Sequence, residues 1–218
     1  MICIDRFEGV DRFKGLGELD EGQMASLLDR RQPVSQSALA LARAGWAAFR
    51  SEDPRDLVTF LDGDLEALPF LAPALKRHLK EYPSCTSGLT RTERQLLSLA
   101  ASGVHDPGAM FLRNMALETT LYIGDWPTYT VIDALCTADL LACEPGPFRF
   151  PPGIAITAHE FREQRRHPTE RGMRVLRRER YVFALWHRDF WLGGVHLRSD
   201  GPIWAWDAAR SRLVRRDP

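Results

Sequence analysis

Near the C-terminal end, His187, Asp189, His196 and Asp207 are the residue types that acid/base catalysis or divalent-metal ligation uses. They fall in stretches that read as paired strands, which could bring an imidazole and a carboxylate into one cleft. Their spacing matches no ligand or catalytic motif. His159-Glu160 has Glu163 where a zinc-protease helix needs a second histidine. No serine sits in GxSxG, and no GxxxxGK phosphate loop exists. Gly15-Leu16-Gly17 is too short for a dinucleotide loop. No metal or cofactor motif is readable. These four residues therefore define an alternative reading, an enzyme or enzyme fragment with its His/Asp site in a C-terminal sheet.

A second chemistry is charge. Residues 160–180 hold eight arginines against Glu160, Glu163, Glu170 and Glu179. Arg165, Arg166, Arg171 and Arg174 in this stretch, with Arg91 and Arg94 at an upstream helix start, are candidate nucleic-acid contacts. They would touch phosphates rather than bases. The competing reading is a solvated helix whose arginines pair with the interspersed glutamates. Lys76, Arg77, His78 and Lys80 form a further small basic face. Net charge is zero. Split at Ala109, the first part carries 13 Lys+Arg against 16 Asp+Glu and the second 16 against 13. That asymmetry is far from the basic excess of a committed nucleic-acid binder.

At 218 residues, with 44% hydrophobic and 27% charged residues, the chain can bury one large core or two small ones. No apolar run approaches eighteen residues, so no membrane span or membrane partner is expected. The start has no signal-peptide pattern. Cys3, Cys85, Cys136 and Cys143 lack CxxC spacing and read as reduced thiols of a cytoplasmic protein.

The elements that must position these groups can be taken in order. Ile2–Ile4 reads as a short strand. Asp20 opens a helix with Met24, Leu27 and Leu28 inward. Residues 34–49 give the clearest helix of the first part, with Ala38, Leu41, Ala42, Trp46 and Phe49 on one stripe and Gly45 admitting a close neighbour. Asp53-Pro54 starts the next helix, and residues 72–82 another. Residues 83–88 read as a linker between a mostly helical region, 1–82, and a second domain, 88–218.

Thr90-Arg91-Thr92-Glu93 is a full capping box, and Gly103 ends its helix. Asp106-Pro107-Gly108 opens a second helix. Asp125-Trp126-Pro127-Thr128 opens a third, with Val131, Ile132, Leu135, Leu140 and Leu141 toward the core. Beyond it come a strand candidate at 154–157, a short helix at 169–176, and strand-like stretches at 181–186, 191–197 and 203–207. A final edge is expected at Leu213-Val214. The fold class is α+β: a mainly helical N-terminal part, then a winged-helix-like domain with a small antiparallel C-terminal sheet. In a helix-turn-helix the third helix reads bases, yet its candidate outward positions, Thr128, Thr130, Asp133 and Thr137, hold no Arg or Lys. Four of the six tryptophans, Trp186, Trp191, Trp204 and Trp206, fall in the tail. Core packing is their commoner use, and base stacking would suit exposed ones.

The stretches 71–97, Ile123-Gly124-Asp125-Trp126, 169–176 and 189–207 resemble the later part of a bacterial family of uncharacterised proteins termed domain of unknown function 1835. The likeness lies in Pro83-Ser84, the run Gly88–Gln95, Gly124-Asp125-Trp126, and Trp191–Leu197 with Trp206-Asp207. It implies that an upstream α/β region precedes such a chain, with Ile2-Cys3-Ile4 looking like its last strand. The family name carries no activity. Together these features point to a non-catalytic binding or regulatory module, with protein or nucleic acid as partner. A homo-oligomer is compatible with them.

Overall fold

The structure is a computed structural model that describes residues 1–11, 13–148, 157–178, 189–198 and 200–216. Asp20 accepts from the N–H of Gln23 while the Gln23 side chain accepts from Asp20 N, and this capping box starts α1 (Glu21–Ser26). The expected strand at Ile2–Ile4 does not form; the nearest pairing is a single bridge between Phe7 and Val10. Three residues with no described strand beside them cannot complete a ladder.

Ser35 caps α2 (Gln36–Phe49) through Ala38 N. Gly45 faces α3 (Arg55–Leu61), and a Cβ there would lie 3.0 Å from the Phe60 ring. That packing turns Trp46 outward, 59% exposed, against the inward position its spacing suggested. Next comes α4 (Leu71–Leu79), which buries Leu75, Arg77, His78 and Leu79.

The central unit is built by its caps. Thr90 and Glu93 form the expected reciprocal box, and α5 (Arg91–Ala101) follows. It ends in a Schellman pattern: Val104 N donates to Leu99 O and Gly103 N to Ala100 O. Asp106 accepts from Ala109 N and opens α6 (Pro107–Ala116) with proline in its first turn. Following Gly124, α7 (Asp125–Thr137) ends in the same way, with Leu140 N donating to Leu135 O and Asp139 N to Cys136 O. Asp139 takes the left-handed angle, φ 57°, that turns the chain into β1 (Leu141–Glu144).

Thr157 caps α8 (Ala158–Glu163). The strand β2 (Arg165–Pro168) then pairs antiparallel with β1. Arg166 N also donates to His105 O at 3.0 Å, so the α5–α6 connection adds a rung on the other edge of β2. Three helices followed by such a hairpin are consistent with a winged-helix-like arrangement. Thr169 caps α9 (Glu170–Leu176), whose Gly172 lies against the chain of Leu140.

The remaining strands form two hairpins. β3 (Asp189–Leu192) pairs with β4 (Val195–Arg198), and β5 (Ile203–Asp207) pairs with β6 (Arg212–Arg216). The stretch 181–186, most of 154–157, and His187 lie outside the described residues.

Two cores result. One joins Leu96, Leu97, Met110, Ile132, Leu135, Leu141, Phe161 and Val175 of the central unit. The other joins Leu57, Leu75, Leu79 and Tyr82 to Leu192, Val195, Leu197, Ile203 and Leu213. The C-terminal hairpins thus close on the first helices, and the hairpin that packs with the three-helix unit is β1–β2. The cause is visible in the alternation: Val195, Leu197 and Ile203 are buried, and they pack in one core with Leu57 of α3 and Leu75 and Leu79 of α4. The expected linker is pinned by the same return, since Trp206 N donates to Pro83 O at 2.8 Å and Cys85 N to Trp206 O at 3.0 Å. One core thus joins residues on both sides of 83–88, while the other lies within 89–176.

The β3–β4 turn explains the glycine pair. Gly194 N donates to Phe49 O at 2.9 Å, and a Cβ on Gly194 would come within 1.9 Å of Arg50 O. Gly194→Ala is expected to lower stability in urea unfolding by roughly 1–3 kcal/mol, because backbone has to move. Gly17→Ala, where nothing lies within 4 Å, is the matched control. A Gly194→Ala loss no larger than that of the control contradicts the close approach.

Candidate functional site

The largest surprise against the sequence is at α4. Lys76 and Lys80 are exposed, but Arg77 and His78 are buried, 4% and 8% exposed. The four do not make a basic face. Arg77 donates to Glu81 Oε1 and, at 3.0 Å, to Thr92 Oγ1, and it lies 2.9 Å from Glu118 Oε1. Its guanidinium also stacks 4.4 Å from the Tyr122 ring centre. Glu81 further accepts from Thr92 N and Thr92 Oγ1, at 3.2 and 2.8 Å. Arg91 Nε reaches both Glu118 oxygens at 3.1 and 3.2 Å. Burial pushes the Glu81 carboxyl up despite Arg77. Burial pushes Glu118 up as well, but the hydrogen bonds from Arg91 and then Arg77 outweigh it and hold Glu118 below its ordinary value.

This cluster forms one side of a groove of about 650 Å³ between α7 and β3. Glu81 and Glu93 line it beside Trp126, Thr130, Phe190 and Trp191. A depression of similar volume, about 660 Å³, lies on β6 and is lined by Glu52, Asp53, Arg55, Arg212 and Arg215. There both signs are present and Asp53 already holds Arg55. The α7 groove differs: its lining has carboxylates, aromatic rings and, among the described residues, no Lys, Arg or His.

The candidate phosphate contacts are dispersed. Arg91 is tied to Glu118. Arg94 is half-buried on α5. Arg165 is exposed and donates to Arg162 O. Arg166 is fully buried and sits 3.9 Å from the Phe148 ring centre. Its guanidinium nitrogens have no hydrogen-bond partner among the described residues, and burial lowers its pKa to about 10. In that position it cannot reach a phosphate on the surface. Arg171 is half-buried and Arg174 exposed, both on α9. The outward positions of α7 are Asp125, Trp126, Pro127, Thr130, Asp133 and Thr137, with no basic side chain.

The His/Asp set is also split. His196 Nε2 and Asp189 Oδ1 pair at 2.6 Å across β3–β4, with Trp191 stacked on the imidazole at 4.5 Å. Asp207 instead caps the β5–β6 turn and holds Arg210 at 3.0 Å, in a separate depression beside Cys85. Among the described residues no group of three or more His, Cys, Asp or Glu is gathered as metal ligands. Cys136 and Cys143, read as free thiols, are disulfide-bonded: the left-handed turn at Asp139 brings the end of α7 back over β1. No helix among the described residues is long and apolar enough to cross a membrane.

Comparison with protein-family models, curated proteins and solved structures finds no match. The resemblance noted from sequence rests on its quoted motifs alone.

Reading the sequence could have flagged the groove only through Trp126 and Trp191, large apolar residues at positions where a helix and a strand begin. Nothing in the spacing of Glu81, Thr92 and Glu118 announces that they meet around Arg77.

His78 gives a pH test. Burial, then the neighbouring Arg77 charge, lowers its pKa to about 4. The unfolded chain takes up this proton from about pH 6.5 downward while the folded chain does not, so the stability contribution is full above that pH and is lost as pH falls toward 4. The loss is about 3 kcal/mol. Replacing His78 with Phe keeps a ring against Phe49 and Tyr122. It is expected to flatten urea-derived stability between pH 6.5 and 4 by about that amount. An unchanged slope contradicts a buried neutral His78.

Proposed function

We propose that the chain is a non-catalytic binding module and that its winged-helix-like unit serves protein recognition. The observation that carries this reading is the outward face of α7. In a nucleic-acid-binding winged helix that face enters a groove of the duplex and is commonly basic. Here it is acidic, aromatic and threonine-rich, and it forms one wall of an apolar groove with β3. Concave, mainly apolar sites of this volume are where ligands and short segments dock. The split His/Asp set supports binding over catalysis, since acid/base work needs its groups within reach of one substrate.

Two measurements test it. Titration of labelled duplex DNA and RNA at low salt is expected to give no saturable binding. Selection of a displayed random-peptide library on the immobilised protein is expected to enrich sequences whose binding is at least tenfold weaker to Trp126→Ala, about 1.4 kcal/mol. Nucleic-acid binding that falls steeply with salt and weakens in Arg165→Ala and Arg174→Ala would overturn the reading.

A further inference from the structure

Two buried polar atoms beside the Arg77 cluster, Arg77 Nε and Asn114 Oδ1, have no hydrogen-bond partner among the described residues. Their residues are 4% and 2% exposed, so neither atom is open to bulk water. The other guanidinium nitrogens of Arg77 are engaged, one by Glu81 and one by Thr92 and Glu118. Asn114 lies on α6, a helix to which none of those acceptors belongs. A buried donor or acceptor left in this condition carries its full desolvation cost. The two residues line one small cavity of about 10 Å³, with Glu118 and Tyr122 also on its wall. That volume is at the lower bound for a single water molecule and far too small for an organic ligand.

The two atoms set opposite demands. Arg77 Nε needs an acceptor, and Asn114 Oδ1 needs a donor. A halide offers Asn114 no hydrogen. A metal ion suits the oxygens of Asn114 and Glu118 but meets the Arg77 charge. A molecule that both donates and accepts satisfies both atoms, and at this size that molecule is water. We propose that the cavity is a structural hydration site, in which one water accepts from Arg77 Nε and donates to Asn114 Oδ1. Its second hydrogen goes to Glu118, whose carboxylate has lone pairs to spare beside the bonds from Arg77 and Arg91. Three bonds are the usual complement of a buried water. Through it Asn114 ties α6 to the guanidinium that α4, α5 and the connection between α6 and α7 already share. Tyr122 and Ile123 line both this cavity and the α7 groove, so the water lies behind the groove wall. The site is independent of what the groove binds.

A high-resolution crystal structure of the full chain tests this directly. It is expected to show one water oxygen within about 3.2 Å of both Arg77 Nε and Asn114 Oδ1. Asn114→Leu supplies a second readout, since it keeps the approximate size of the side chain and removes the acceptor. With the water in place, that change strands a bound water beside Arg77, and the unfolding equilibrium constant in urea is expected to rise about tenfold. Without the water, the same change only removes a desolvated carbonyl, and stability stays level or improves. A crystal structure with no density between the two atoms, or with Arg77 Nε bonded directly to Asn114, overturns the site. An Asn114→Leu variant at least as stable as the wild type overturns it as well. If Asn114→Leu does not fold, the wild-type crystal structure still decides.

Discussion

The buried guanidinium of Arg77 finds its acceptors in segments far apart in sequence. Glu81 follows its own helix, Thr92 lies in α5, and Glu118 and Tyr122 belong to the connection between α6 and α7. Leaving such a charge without partners costs several kcal/mol, so the helices have few relative positions in which the cluster is satisfied. Ion pairs of this kind contribute little net stability over a well-packed apolar core. What they restrict is geometry. α4 cannot slide along α5 without breaking at least one of these contacts, and the α6–α7 connection is held at the same point.

That restriction couples the two cores. One core contains α3, α4 and the C-terminal hairpins, and the other contains the three-helix unit with the β1–β2 hairpin. Their meeting place is Arg77 and its carboxylates, and the groove opens beside it because β3 belongs to one core and α7 to the other. Close backbone contacts hold the hairpin side: the β3–β4 turn sits on the end of α2, and Pro83 and Cys85 bond to Trp206. The groove is therefore a product of tertiary assembly, with neither wall able to form it alone.

Local chemistry was legible in the sequence wherever a short-range rule decides the structure. The Thr90–Glu93 box, the helix start at Asp106, the short helix at 169–176, the stop after Ala101 and the strand pattern of Ile203–Asp207 each depend on residues a few positions apart. The strand at Ile2–Ile4 failed because a strand is defined by a partner, which no local pattern supplies. Arg77, His78 and Arg166 were misplaced for a related reason: charge argues for solvent unless distant acceptors or an aromatic face are known. Arg166 rests on Phe148, and Arg77 on Tyr122, contacts that span residues with no shared periodicity. The return of the tail to the first helices is likewise a matter of which apolar faces meet, since both cores use the same residue types.

The most direct measurement is a double-mutant cycle on Arg77 and Glu118, with Arg77→Ala, Glu118→Ala and the double variant unfolded in urea. Each single change is expected to destabilise by roughly 3–5 kcal/mol, since it strands a buried partner. The double variant should recover enough to give a coupling of about 1–3 kcal/mol. Additive losses, with coupling inside a few tenths of a kcal/mol, would show that the two cores are positioned by something other than this cluster.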